Sequence, residues 1–292
     1  MKMKALLAAL GFGLAMGSAQ AASVSSQFFT GFQQLSDNSA EVLINGANST
    51  GATTVDVGDT LFGIFDIQTI EQGASTHDLG GASGNDELTG VFAIKVLTKD
   101  TLGQNGCTSN FCFTFGVSDA LISALGGVTL STFTGDAGTL VGLYTDTTPD
   151  FIRQGCTLAG CTATATNDSL YMTLGFGSNG FWQATSISDN IALIGAIPAP
   201  GNGGTFNSGL NLITNNSGLQ FTNVNCLNQR TVTIIQVFTC GSGSLLGTGG
   251  VSTPFDSFDN VDFTVNRVPE PGSVILLGLG LLALAGFARR RA

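Results

Sequence analysis

The sequence predicts a mainly β chain, an antiparallel β-sandwich or related two-layer β fold, with an N-terminal signal helix and a C-terminal transmembrane helix. Three observations predict it. Short runs rich in β-branched and aromatic residues recur along the middle of the chain. They are separated by stretches of glycine, serine and asparagine, and the chain holds 41 glycines. Only 10% of the residues are charged while 43% are apolar, the opposite of the balance that keeps chains disordered.

The first element is the leader. Lys2 and Lys4 precede an apolar run and a small-residue site ending Ala19-Gln20-Ala21. This is the order of a secretory signal peptide, cleaved by signal peptidase after Ala21. Strands are then expected over 61–70, 87–97, 111–117, 139–144, 170–176, 181–187, 191–197, 209–213, 231–238 and 261–265. The first two read as a long hairpin whose wide loop carries His77. One helix is expected over 118–130, where Ser118 caps and Leu121, Ile122 and Leu125 share a face. Breaks are expected at 198–204 and 241–254. Residues 22–267 form one exported domain.

Within that domain nineteen acids face five bases, Lys95, Lys99, Arg153, Arg230 and Arg267. Such a surface excludes nucleic acid and anionic lipid as partners. It suits divalent cations. The six cysteines fall in three near pairs, Cys107 with Cys112, Cys156 with Cys161 and Cys226 with Cys240. An even count behind a signal peptide reads as three local disulfides, and the spacing does not suit a zinc site.

Motifs for catalysis are few. Residues 175–180 spell G-x-G-x-x-G, but a strand follows where a phosphate cradle needs a helix, so a hairpin turn is expected. His77 is the one imidazole, in a glycine-rich stretch without a nucleophile motif, and reads as a solvated loop residue. Asp256, Asp259 and Asp262 are spaced three apart beside the last strand, and Asp56 and Asp59 form another close pair. Either set offers half of a calcium site, calcium being the one cofactor the composition suits. No catalytic residue is assigned and the domain is read as a non-enzyme. One Trp and two Tyr among 21 Phe point to core packing more than to a sugar-stacking platform.

The last 25 residues are tripartite. Pro269-Glu270-Pro271-Gly272 leads into sixteen residues without a charge, then Arg289, Arg290 and Arg291. At about 1.5 Å per residue the helix reaches roughly 24 Å, barely a bilayer core, and the arginines hold its end in the cytoplasm. Residues 268–292 resemble the PEP-CTERM sorting domain, whose members are processed by exosortase in Gram-negative bacteria that make exopolysaccharide. The resemblance implies a secreted or cell-surface protein, held transiently in the inner membrane by the C-terminal helix. It also implies a structural or adhesive role beside exopolysaccharide or other matrix (biofilm) components. Two alternatives remain open: a secreted polysaccharide hydrolase using paired carboxylates, and a calcium-assisted glycan-binding module.

Overall fold

The computed structural model describes residues 23–80, 86–119, 125, 127–191, 204–247 and 254–269. The expected signal helix, the C-terminal helix, all but the first residue of the strand expected at 191–197 and six of the thirteen residues of the helix expected at 118–130 lie outside these residues, as does most of the break at 198–204. No helix among the described residues is long and apolar enough to cross a membrane.

Fourteen strands are described, and twelve of them build one sheet. In chain order they are β1 (Gly31–Ile44), β2 (Thr60–Gln72), β3 (Ser75–Asp78), β4 (Glu87–Thr101), β5 (Phe111–Val117), β6 (Thr139–Asp146) and β7 (Ser169–Gly175). There follow β8 (Phe181–Ser186), β9 (Gly204–Asn215), β10 (Gln220–Thr222), β11 (Val224–Asn228), β12 (Thr233–Val237), β13 (Thr239–Gly247) and β14 (Phe258–Val268).

The register reduces this list to a simple object. Residues 75–78 of β3 and then β4 run in line along one edge of β2. In the same way β5 and β6 run in line along β4, β7 and β8 along β9, and β10 and β13 along β14. Each of these pairs is one stave interrupted by an outward excursion. Counted as staves the sheet has eight, each antiparallel to the next in sequence, and β14 returns to pair with β1. The fold is therefore an up-and-down barrel and not the expected sandwich. Closure satisfies the outer edges of the first and last strands, which a sandwich leaves open.

The interior is packed. Phe65, Phe92, Trp182 and Phe206 make a ladder of rings with centroids 5.7–6.4 Å apart, and burying each such side chain contributes about 1.5–3 kcal/mol. Part of the wall is also covered outside. Helices α1 (Val24–Gln27), α2 (Leu130–Thr134) and α3 (Leu158–Thr166) are short. Leu130 of α2 and Leu158, Cys161 and Ala165 of α3 cover Phe62, Ile64, Val91 and Ala93 on the outer face of β2 and β4. Burial on both faces is why these two strands read as nearly continuous apolar runs.

Several expectations change in detail. The wide loop between the first two expected strands does not hold His77; the chain turns at Gly73 (φ +62°) and His77 pairs with Ile70 in β3. The 175–180 glycines do not make a hairpin turn, because β7 and β8 do not pair with each other; the chain bulges out and resumes along β9. Gly180 allows this, since a Cβ there would lie 2.5 Å from the Phe176 carbonyl oxygen. The expected break at 241–254 begins as strand β13. A Cβ at Gly243 would meet the Phe206 ring at 2.7 Å, so glycine here permits close packing and does not mark a turn. The strand expected at 231–238 belongs to the β11–β12 hairpin, which lies off the barrel.

Candidate functional site

Glu87 opens β4 just after the excursion that interrupts its stave, and Asp146 closes β6 directly opposite it. Like charges in a cross-strand pair destabilise a sheet unless something neutralises them. Both side chains are buried, at 5% exposure each. Asp150 lies four residues beyond Asp146, and one oxygen from each of the three acids lies within 4.8 Å of the others.

The backbone holds this arrangement in place. Glu87 accepts the amides of Asp150 (3.2 Å) and Phe151 (3.3 Å), and Asp146 accepts that of Thr148 (2.7 Å). Asn167, at the end of α3, donates to Asp150 at 3.0 Å. Gly80 packs its backbone against Glu87, leaving 3.0 Å between the Glu87 Cβ and the position of a Cβ at residue 80. Glu87 and Asp150 border a cleft of about 650 Å³ whose walls add Asp66, Asp78 and Phe151.

The electrostatics are one-sided. Burial, then repulsion from Asp146 and Asp150, pushes the Glu87 carboxyl up to about 7 against the two amides it accepts. Asp86 is raised by burial and by Asp146 and Asp168. No lysine or arginine pairs with Glu87, Asp146 or Asp150 among the described residues. Calcium takes oxygens at about 2.3–2.6 Å, so two ligands on opposite sides of one ion lie about 4.6–5.2 Å apart. The three oxygens therefore fit around a single ion.

None of these acids was among the metal candidates read from the sequence. The acids that were do not converge. Asp259 faces the barrel interior, whereas Asp262 on the same strand bonds Ser36 Oγ (2.7 Å) and Asp256 accepts the Leu43 amide (2.9 Å). A spacing of three suits one face of a helix, but on a strand it sends the side chains to opposite faces. Asp56 and Asp59 accept hydroxyls, amides and the Lys99 ammonium, so donors of the protein itself already balance their charge.

Cys107 is bonded to Cys112 and Cys156 to Cys161. Cys226 and Cys240 are a correction: they are in contact as thiols. Each has its own acceptor, Cys226 the Ser208 carbonyl (3.3 Å) and Cys240 that of Asn225 (3.5 Å). His77 is not loosely solvated. Its ring stacks on Phe29 at 4.1 Å and its Nδ1 bonds the Gln27 carbonyl at 2.5 Å.

β14 ends at Val268, so the barrel leads directly into the sorting motif, of which Pro269 is described. Residues 267–291 match the family described as the PEP-CTERM protein-sorting motif. The tail is a PEP-CTERM sorting segment. It makes this an exported protein, processed by exosortase and delivered to the cell surface or beyond. Glu270, Pro271 and the three arginines lie outside the described residues. No curated protein and no solved structure matches the chain.

Proposed function

We propose that the exported barrel is a non-catalytic surface or matrix protein of a Gram-negative bacterium. It is anchored transiently in the inner membrane, cut by exosortase and left in contact with exopolysaccharide, and its acidic cleft binds calcium. One observation carries the calcium reading: Glu87, Asp146 and Asp150 place three oxygens within 4.8 Å of one another, without a pairing base among the described residues. Calcium would displace the proton that Glu87 otherwise shares with solvent near neutrality and bridge the cleft to hydroxyls of a glycan. Titration calorimetry of the mature protein with calcium tests this. Wild type should bind, and Glu87→Gln and Asp146→Asn should each weaken binding at least tenfold. Equal binding by both variants refutes the site.

A second reading is a polysaccharide hydrolase, favoured by a carboxyl at about 7 at the edge of a roomy cleft. Retaining glycosidases separate their carboxyls by about 5–5.5 Å and inverting ones by more. Against it, Glu87 already accepts two amides, which hold its carboxyl in place on the backbone. Release of reducing sugar by wild type, abolished in Glu87→Gln, would favour the hydrolase.

A further inference from the structure

The seam that closes the barrel is open in its middle. β1 and β14 pair up to Ser36 and Asp262, and an isolated bridge joins Glu41 to Ser257 in the same register. Between these points the ladder is replaced by side chains. Asp37 accepts the Val261 amide (2.6 Å) and Ser39 Oγ accepts the Asp259 amide (3.0 Å). Asp37, Ser39 and Glu41 alternate with outward residues on β1, so all three point inward, toward Asp259. Every one of the four is at least nine-tenths buried.

Their protons do not balance. Ser39 Oγ is in hydrogen-bond contact with both Glu41 Oε1 and Asp259 Oδ1. A hydroxyl has one proton to donate, so the second contact requires a protonated carboxyl or a cation. The other Glu41 oxygen, Oε2, is buried without a hydrogen-bond partner. Glu41 and Asp259 line a cavity of about 40 Å³, with Ser257 on the same wall and Trp182 among its apolar neighbours. That volume exceeds the roughly 10–15 Å³ a single water needs, so an ion with a water fits. The charged groups acting on Glu41 and Asp37 are acids.

We propose that the barrel interior holds a divalent-cation site, separate from the surface cleft, built by Glu41, Asp259 and Ser39 at the seam between β1 and β14. Two carboxylates and a hydroxyl supply up to five hard oxygen ligands, and water in the cavity brings the number to the six that calcium requires. As the ion enters, the carboxyl protons leave to solvent and its two positive charges balance the pair. Asp37 stays on its amide and adds long-range attraction. Burial holds Glu41 well above the usual carboxylate range, with Asp259 the next cause, and burial pushes Asp259 up to about 6. Ionising this pair without a counterion is therefore costly.

The single tryptophan gives a selective readout, because Trp182 shares the cavity with the acids. Terbium(III) is the probe, added to the mature exported protein with Trp182 excited. Wild type should show sensitised terbium emission, displaced by excess calcium, and Glu87→Gln should retain it. Glu41→Gln, which keeps the side-chain volume, should lose at least tenfold in apparent terbium affinity, and so should Ser39→Ala if Glu41→Gln fails to fold. Trp182→Phe should lose the emission while keeping the calcium stoichiometry. Undiminished emission in folded Glu41→Gln or Ser39→Ala overturns the proposal. So does wild type that binds calcium only through Glu87 and gives no tryptophan-sensitised signal; the interior acids would then hold protons alone.

Discussion

Two groups of acids in this barrel meet opposite conditions. Between β1 and β2, Asp59 accepts the amides of Gly46 and Asp56 and the Ser49 hydroxyl, while Asp56 accepts the Thr50 amide and hydroxyl. Lys99 then bridges Asp56 at 2.9 Å and Asp189 at 2.8 Å. The Thr50 hydroxyl and the Lys99 ammonium are the two leading reasons that Asp56 is held down at about 2. At the β1–β14 seam, Asp37, Glu41 and Asp259 are more deeply buried than Asp56 or Asp189, yet meet only the Ser39 and Ser257 hydroxyls, one backbone amide at Asp37 and each other. What separates a structural staple from a site awaiting a counterion is the supply of donors, not the number of carboxylates.

Removing calcium should give the largest effect. A cation at a hundred times its Kd contributes about 2.7 kcal/mol per site. Differential scanning calorimetry should therefore show wild type melting about 5–10 °C lower in chelator than in saturating calcium. Glu41→Gln should show a smaller difference, and equal melting of wild type in both conditions would erase the contrast between the two groups. Next in size, Lys99→Met strips the staple of its one base and should cost about 1–3 kcal/mol by urea unfolding, independently of calcium.

The pH dependence has opposite signs in the two groups. The Asp56 carboxyl is depressed, so its contribution is present above the unfolded value near 4 and is lost as pH falls toward about 2. Asp259 is raised, so in chelator its contribution is full below about 4 and is lost as pH rises through about 6. Urea midpoints in chelator should thus decline on both sides of mildly acid pH, and Asp259→Asn should flatten only the upper limb. The smallest expected effect is that of Ser49→Ala, about 1 kcal/mol, because Asp59 keeps its two amides.

Much of the barrel wall was legible in the sequence. β2 and β4 declare themselves through Phe62, Ile64, Phe65, Val91, Phe92 and Ile94, since strands buried on both faces need no alternation. β1 gave no strand signal because three successive inward positions are Asp37, Ser39 and Glu41, which invert the usual pattern of apolar in and polar out. β13 was obscured because Gly241 and Gly243 make room for the Phe263 and Phe206 rings, and its glycines look like a turn. The cleft was not legible at all. Glu87 and Asp146 are joined only by sheet register, and the one local hint is an acid at the head of an otherwise apolar run. Asp259 and Asp262, three apart on β14, point to opposite faces of the strand, so their spacing does not bring them together.

The seam also sets an order of events during secretion. The last stave supplies the partner for the first, with Arg267 opposite Gly31, and the sorting motif begins at the next turn of chain. An exported chain emerges amino end first, so its opening strand waits in the new compartment with one edge unpaired until residue 268 has followed it across. Unpaired edges invite pairing with other chains, and contacts this distant in sequence form slowly. Until the last strand arrives, the free edge of the first is therefore the place where newly secreted copies would pair with one another instead of closing.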